Sequence, residues 1–93
     1  MTLETLYQEF LLSAGVCTDT RREVRHSLFF ALKGERFDGN RFVRDALQKG
    51  CRLAFTEKHE LEEETRVVSV PSVLKLLQQL AHHHRMRVSP KVL

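Results

Sequence analysis

The chain alternates segments of helical periodicity with short apolar runs, and this alternation restricts its fold more than any other feature. In residues 2–14 apolar side chains recur at steps of three and four, which predicts a helix that ends at Gly15. The β-rich run "VCTDT" (16–20) follows, and the apolar run "SLFFAL" (27–32) is typical of an interior strand covered on both faces. The first third of the chain therefore predicts one helix and two strands.

The same alternation continues to the end of the chain. A second amphipathic helix is predicted to begin near residues 38–40 and to end at Gly50, and strands are predicted at 51–56 and 66–70. Pro71 ends the last strand and can open a third helix. Such alternation predicts an α/β fold, a three-layer α/β/α sandwich with a mixed, partly parallel sheet. With 93 residues, a single domain spanning residues 1–93 is expected.

The charge balance and the cysteines narrow the class of protein. Fifteen Lys and Arg against twelve Asp and Glu give a net charge of +3, so a small basic nucleic-acid module is only a remote alternative. Cys17 and Cys51 form no C-x-x-C pair, which favours reduced thiols in the cytoplasm. No apolar run approaches the roughly 20 residues of a membrane span. We expect a cytoplasmic monomer without a nucleic-acid or membrane partner.

The usual motifs of catalysis and metal binding are missing from the sequence. None of the glycines starts a G-x-x-x-x-G-K-[ST] phosphate loop, and no serine or cysteine has a recognisable catalytic partner. His82, His83 and His84 point about 100° apart on a helix, so they cannot all bind one ion. We expect His84 to be half-buried and the other two to be solvated. The acidic run 57–64 is interpreted as a solvated face. No catalytic residue and no metal site is predicted.

The residues that suit a ligand are concentrated in the segment 17–42, "CTDTRREVRHSLFFALKGERFDGNRF". Thr18 and Thr20 alternate with Asp19 at a predicted strand end, so in an extended chain both hydroxyls face one side. Small hydroxyls at such a place are good partners for a polar ring or a phosphate oxygen, because ligands of open α/β sheets gather at the carboxyl ends of strands.

The loop "KGERFDGN" (33–40) follows the next predicted strand. Gly34 and Gly39 would let the backbone approach a ligand closely. Lys33 and Arg36 would offset the charge of a diphosphate, and Phe37 could lie against a flat heterocycle. Both segments together suit a nucleotide-like ligand.

A purely structural interpretation of the two segments is about equally consistent with the residues. In that interpretation Asp19 and Arg21 form an ion pair, Gly39 is a turn glycine and Phe37 belongs to the core. The spacing alone does not choose between a ligand cradle and a well-formed turn.

Three elements of this segment, in their order and spacing, resemble the N-terminal domain of the bacterial Mur ligases. They are "TDTR", "LFFALKG" and "DGNRF", and the likeness extends through "VLKLLQQLAHHHR" (73–85). The resemblance implies a domain that binds the UDP-N-acetylmuramoyl end of a peptidoglycan precursor. His26 stands where members commonly have a glycine, which leaves the geometry of that turn open.

Residue by residue, the resemblance also implies which side chains lie at the substrate. Thr18 and Thr20 match positions that contact the uridine, and residues 35–37 match the loop that wraps the uracil and the diphosphate. The full set implied to bind the UDP-muramoyl substrate is Thr18, Thr20, Arg21, Lys33, Gly34, Glu35, Arg36, Phe37 and Asn40.

For the full-length protein, the resemblance implies an ATP-dependent amide ligase acting on UDP-N-acetylmuramoyl-tripeptide. ATP, Mg²⁺ and D-alanyl-D-alanine would be bound by a central ATPase domain and a C-terminal domain that this chain lacks. The chain alone is expected to be non-catalytic and to hold no cofactor. The "LKGERFDG" wording favours members that add D-alanyl-D-alanine, and members that add a diamino acid to UDP-N-acetylmuramoyl-L-alanyl-D-glutamate are the alternative.

Overall fold

Helices and strands alternate along the chain, as the periodicity predicts. The computed structural model describes residues 2–21, 23–34, 38–58 and 65–88, with the backbone alone for residues 87 and 88. Its elements are α1 (Leu3–Leu12), β1 (Val16–Cys17), β2 (Leu28–Phe30), a 3₁₀ turn (Gly39–Phe42), α2 (Val43–Gln48), β3 (Leu53–Thr56), β4 (Val67–Ser69) and α3 (Val73–Val88). All three predicted helices and all four predicted strands are therefore present.

The four strands form one parallel sheet in the order β1-β2-β3-β4. Cys17 pairs with Phe29, Phe29 pairs with Ala54, and Phe55 pairs with Val68. The α/β class is confirmed. Every strand pair within the described ranges is parallel. An isolated antiparallel bridge joins Lys33 and Asp38 outside these strands.

The sheet separates two hydrophobic cores because successive residues of a strand face opposite sides. Leu28 and Phe30 face the side of α1 and α3, whereas Phe29 faces the side of α2. The buried residues of the first core are Leu6, Tyr7, Leu28, Phe30, Phe55, Val73 and Leu80. Those of the second core are Phe29, Ala31, Val43, Ala46, Cys51, Ala54 and Val67. Helices therefore cover both faces, which confirms the three-layer arrangement.

The histidines of α3 pack against the aromatic side chains of α1. The Tyr7 hydroxyl lies 3.2 Å from Nδ1 of His84, and the His83 ring meets the Tyr7 ring edge-on at 4.6 Å between centroids. His82 is exposed and His84 is half-buried, as expected. The expectation that His83 is solvated is wrong, because the contact between the two helices is wide enough to half-bury its ring as well.

Among the described residues, no helix combines the length and apolar character that crossing a membrane requires.

His26 adopts the backbone conformation that its family counterparts' glycine would favour. Its φ is +64°, in the left-handed region, while its N–H donates to the Gly50 carbonyl at 2.8 Å and its carbonyl accepts from Ala14 N–H at 2.9 Å. These two bonds fix the turn that leads into β2. The backbone of this turn therefore takes a left-handed conformation that glycine adopts freely and that is strained for a residue with a Cβ.

Replacing His26 with glycine should stabilise the protein by about 0.5–1 kcal/mol. Removing the Cβ relieves roughly 1–2 kcal/mol of left-handed strain, and the larger freedom of glycine in the unfolded chain offsets about 0.5–1 kcal/mol of that. Urea unfolding measures the change. His26→Ala, which keeps the Cβ, is the matched control and should gain nothing, so equal gains in both variants would assign the effect to the imidazole and not to the backbone.

Candidate functional site at the carboxyl edge of the sheet

Parallel strands place their carboxyl ends at one edge of the sheet, and the predicted site residues follow those ends. Thr18 and Thr20 come after β1, and Lys33 and Gly34 come shortly after β2. Asn40 joins the same edge through a hydrogen bond with Thr56, the last residue of β3. The fold therefore gathers the described part of the predicted set at one edge.

The segment after β1 is a turn, and the prediction that the strand extends to residue 20 is wrong. The strand ends at Cys17, whose thiol donates to the Asp19 carbonyl at 2.9 Å. The Asp19 carboxylate accepts from the backbone N–H of Arg21, also at 2.9 Å. Short polar side chains compete with strand pairing through such local bonds to the backbone. The alternation of the two threonine hydroxyls, which required an extended chain, therefore does not apply.

Asp19 and Arg21 form the ion pair of the purely structural interpretation. The guanidinium reaches the carboxylate through Nε at 3.0 Å and Nη2 at 2.8 Å. This hydrogen bonding, together with the charge of Asp19, raises the pKa of Arg21 above its ordinary value. The Arg21 side chain is 88% exposed, so the pair contributes little to stability. Arg21 stands at the rim of the edge, with its charge partly neutralised.

The Thr20 side chain is buried at this edge, with only 5% of the residue exposed. Its carbonyl accepts a bond from Lys49, but its hydroxyl has no hydrogen-bond partner among the described residues. The half-buried hydroxyl of Thr18 also has none within those ranges. Neither hydroxyl is used in a hydrogen bond within the described part of the chain, so both are available to a polar ligand at this edge.

The loop after β2 is closed by a network around Asp38. Its carboxylate accepts from the Asn40 backbone N–H at 3.0 Å and from the Asn40 side-chain amide at 2.8 Å. The buried Thr56 hydroxyl donates to Oδ1 of the Asn40 side chain and accepts from the Lys58 N–H at 3.0 Å. Asn40 thus connects the loop to the end of β3, and a direct role in binding stays a prediction. The candidates Glu35, Arg36 and Phe37 lie outside the described residues.

An open cavity of about 350 Å³ lies beside this loop, lined by Leu32, Lys33, Gly34, Glu57 and Leu74. Glu57 is exposed, as expected for the acidic run 57–64, of which residues 59–64 lie outside the described residues, and it also makes a specific contact. Its carboxylate accepts from the Val73 N–H at 2.9 Å and so caps the N-terminus of α3. The two residues are 16 positions apart, so no local sequence pattern predicts this hydrogen bond. Within the described ranges, no three His, Cys, Asp or Glu side chains are placed to hold a metal ion.

The hydrogen bonds around Asp38 also change the pKa of its carboxyl group. The hydrogen bond from the Asn40 side chain lowers the pKa of Asp38 below its ordinary value of 3.8, and the charges of Lys58 and Lys33 act in the same direction. The backbone hydrogen bond from Asn40 also lowers the pKa of Asp38, whereas desolvation raises it and offsets part of the shift. Since the native pKa is depressed, the ionised carboxylate stabilises the fold above pH 3.8. That contribution is lost as the pH falls through the native pKa.

Asp38→Asn should therefore be less stable than the unmodified chain at neutral pH, with the difference shrinking below pH 3.8. The asparagine oxygen can still accept from Asn40, so the variant isolates the charge. Urea unfolding at a series of pH values measures the difference, and Asp45→Asn controls for the loss of a carboxylate elsewhere. A difference that stays constant down to acid pH would contradict the assignment.

Comparison with known proteins agrees with this architecture. A family model described as "Mur ligase family, catalytic domain" matches residues 13–85. The chain belongs to the Mur ligase family. The resemblance carried by the "TDTR", "LFFALKG" and "DGNRF" elements is thereby confirmed. Mur ligases are ATP-dependent amide ligases of peptidoglycan synthesis, and the family uses ATP with Mg²⁺.

Curated Mur ligases of two kinds are similar to this chain. The UDP-N-acetylmuramoyl-tripeptide–D-alanyl-D-alanine ligase of Bacillus subtilis is 36% identical over 94 residues, 99% of this chain and 21% of that protein. The UDP-N-acetylmuramoyl-L-alanyl-D-glutamate–2,6-diaminopimelate ligase of Rickettsia typhi is 32% identical over 77 residues, 83% of this chain and 15% of that protein. The chain spans about a fifth of the length of the Bacillus protein.

Solved Mur ligases share the fold. The MurF ligase from Thermotoga maritima, solved in complex with ADP, has a TM-score of 0.72 and 31% identity, covering 83% of this chain and 18% of that one. MurF from Acinetobacter baumannii also has a TM-score of 0.72, with 27% identity over 95% of this chain and 22% of that one.

Proposed function

We propose that this chain is the substrate-binding domain of a Mur ligase that adds D-alanyl-D-alanine to UDP-N-acetylmuramoyl-tripeptide. The observation that carries the proposal is that the hydroxyls of Thr18 and Thr20, at the carboxyl edge of the sheet, make no hydrogen bond within the described ranges. The Bacillus ligase, whose name states that reaction, matches 99% of the chain, which supports this assignment.

In this proposal the two hydroxyls bond the uridine, and the loop after β2 holds the rest of the nucleotide. Lys33 is exposed at the mouth of the cavity, where its ammonium would offset the charge of the diphosphate. Residues 35–37 complete the uracil and diphosphate contacts, as the family resemblance implies. Gly34 lets the backbone come close, and Arg21 and Asn40 are the outer members of the set.

The chemistry of bond formation belongs to the rest of such a ligase. The full-length enzyme would activate the terminal carboxylate of the peptide with ATP as an acyl phosphate, which the amine of D-alanyl-D-alanine then attacks. ATP, Mg²⁺ and the dipeptide would be bound by a central ATPase domain and a C-terminal domain. The role of this chain is to hold and place the precursor. We further propose that it works in the cytoplasm, because both Cys17 and Cys51 are buried thiols outside any disulfide, and that it is a monomer.

The second candidate is the same domain of a ligase that adds a diamino acid to UDP-N-acetylmuramoyl-L-alanyl-D-glutamate. The Rickettsia ligase, 32% identical over 83% of this chain, favours it. Both candidates share the nucleotide end of the substrate, so the site described above serves either. They differ in the peptide, and relative affinity for the tripeptide and the dipeptide precursors separates them.

An NMR titration of the ¹⁵N-labelled chain with UDP-N-acetylmuramoyl-tripeptide tests where the precursor binds. We expect the amides of residues 18–21 and 33–40 to shift, while those of the far end of α1, such as Leu11 and Leu12, stay in place. UDP-glucose serves as a ligand that carries the nucleotide without the muramoyl peptide, and it should shift the 18–21 amides as well. Shifts confined to the opposite edge of the sheet would overturn the proposal.

Thr20→Val should weaken binding of the same precursor by about three- to tenfold, the usual worth of one hydrogen bond. The stability should stay the same or rise, since the hydroxyl removed has no partner among the described residues. Ser27→Ala is the reciprocal control: its hydroxyl donates to the Val24 carbonyl at 2.6 Å, so this variant should lose stability and keep its affinity. Unchanged affinity in Thr20→Val would remove Thr20 from the site.

A further inference from the structure

Lys49 makes a long-range contact with the turn that carries the two threonines. Its ammonium donates to the Thr20 carbonyl at 2.6 Å, across 29 residues of sequence. Lys49 is the C-terminal cap residue of α2, and its ammonium also lies 3.4 Å from the Asp45 carboxylate one turn earlier. The contact therefore joins the helix on one face of the sheet to the segment that leaves β1.

The other bonds described above for this turn are local. The Cys17 thiol bonds the Asp19 carbonyl, and the Asp19 carboxylate bonds the Arg21 N–H, so these contacts shape the turn without setting its place on the domain. The Lys49 bond reaches the turn from a separate element. Hydrogen bonds from a charged donor are about twice as strong as neutral ones, and this one meets a residue that is 95% enclosed by the fold.

The Thr20 carbonyl and the Thr20 hydroxyl belong to one residue, so a bond that fixes the first restricts where the second lies. The Lys49 side chain is 48% exposed, and its ammonium is committed to two protein oxygens, those of Thr20 and Asp45. This geometry suits a group that holds the site in shape better than one that contacts the ligand.

We propose that Lys49 is a positioning residue of the nucleotide site, which holds Thr20 where its hydroxyl can meet the ligand. The inference rests on the proposed function, because it needs the 18–21 turn to be the place where the uridine end of the precursor binds. It adds a residue from α2 to a site whose other members follow β1 and β2. Neither the motifs nor the family resemblance singled Lys49 out.

The first measurement uses the ligand-free chain. In Lys49→Met, which keeps the aliphatic stem and loses the donor, the backbone amides of Thr20 and Arg21 should shift and exchange with solvent faster. Lys49→Arg keeps a cationic donor and should restore both signals. Asp45→Asn is the matched control, because it breaks the 3.4 Å ion pair and leaves the bond to the Thr20 carbonyl. Equal signals in the Met and unmodified chains would overturn the inference.

The second measurement is the affinity for UDP-N-acetylmuramoyl-tripeptide by isothermal titration calorimetry. Lys49→Met should weaken binding about five- to tenfold, while Lys49→Arg and Asp45→Asn stay within about twofold of the unmodified chain. Thermal unfolding checks that each variant is folded at the titration temperature. If Lys49→Met does not fold, Lys49→Gln, whose amide is too short to reach the carbonyl, replaces it with the same expected loss.

The outcomes separate the two proposals. If the unmodified chain does not bind the precursor, the proposed function fails and the positioning role falls with it. If the unmodified chain binds and the folded Lys49→Met variant binds equally well, the proposed function stands and the positioning role is wrong. If Lys49→Arg loses as much affinity as Lys49→Met, the bond to the carbonyl is not what matters, and the positioning role is again overturned.

Discussion

Phe55→Ala is expected to lower the free energy of unfolding by about 3–5 kcal/mol, the largest stability effect that this structure predicts. The Phe55 ring is fully buried in the middle of β3 and stacks on Phe30 of β2, with ring centroids 4.8 Å apart and planes 23° from parallel. Truncation removes the apolar contacts of the ring and leaves a cavity between the sheet and the helices α1 and α3. For a domain of this size the loss is a large part of a total stability of about 5–10 kcal/mol.

Urea unfolding of Phe55→Ala and of Leu12→Ala measures the effect against a matched control. The Leu12 residue is 67% exposed at the end of α1, so its truncation should change the stability by less than about 0.5 kcal/mol. Because the Phe55→Ala variant is close to the folding limit, Phe55→Leu provides a milder replacement with a smaller expected loss. A Phe55→Ala variant as stable as Leu12→Ala would show that the first hydrophobic core is not built around this ring.

Gly39→Ala is expected to destabilise the protein by about 2–3 kcal/mol, as overpacking against rigid backbone does. A Cβ at this position would lie 2.7 Å from the Leu32 carbonyl oxygen, 2.8 Å from the Leu32 nitrogen and 2.9 Å from the Ala31 carbonyl carbon. The Gly39 N–H also donates to that Leu32 oxygen at 2.6 Å. All three contacts are with backbone atoms just after β2, which cannot move away as the end of a flexible side chain could.

The same substitution should also weaken ligand binding, because the Gly39 N–H bonds the Leu32 carbonyl next to the candidate residues Lys33 and Gly34. Gly15→Ala separates the steric cause from a conformational one: Gly15 has φ +131° with open space around it, so alanine there meets strain and no clash. Its cost should fall in the range of about 1–2 kcal/mol and should leave the affinity for the precursor unchanged. Loss of affinity in both variants to the same extent would mean that general destabilisation, and not the loop, is responsible.

The order of the elements was predictable from the sequence because each depends on local periodicity. The predicted helix 2–14 and strand 51–56 correspond to α1 and β3, at Leu3–Leu12 and Leu53–Thr56. Strand ends were less predictable, since pairing with neighbours decides where a parallel strand stops. At β1 the strand stops at Cys17 because the Asp19 carboxylate bonds the chain to itself, a competition that β-propensity does not register.

Of the candidate site, the sequence predicts a set of residues and few of the contacts among them. The family resemblance implies that Thr20 and Asn40 bind the ligand, which stays a prediction, and neither it nor the residue pattern indicates the bond that joins Asn40 to Thr56. The contacts of Glu57 with α3 and of Lys49 with Thr20 also join residues far apart in sequence. Such pairs follow from how the layers pack, and a single sequence holds no pattern that identifies them in advance. The hydrogen bonds that support the candidate site could therefore not be predicted from the sequence.

In the proposed function, this chain holds the precursor by its nucleotide end. Isothermal titration of the chain with UDP-N-acetylmuramoyl-tripeptide, and then with the same N-acetylmuramoyl-tripeptide lacking UDP, tests it most directly. We expect removal of UDP to weaken binding by about tenfold or more, since the charge-assisted and hydroxyl bonds at the sheet edge are lost together. Equal affinity for the two compounds would contradict it, because the chain would then recognise the sugar or the peptide and not the nucleotide.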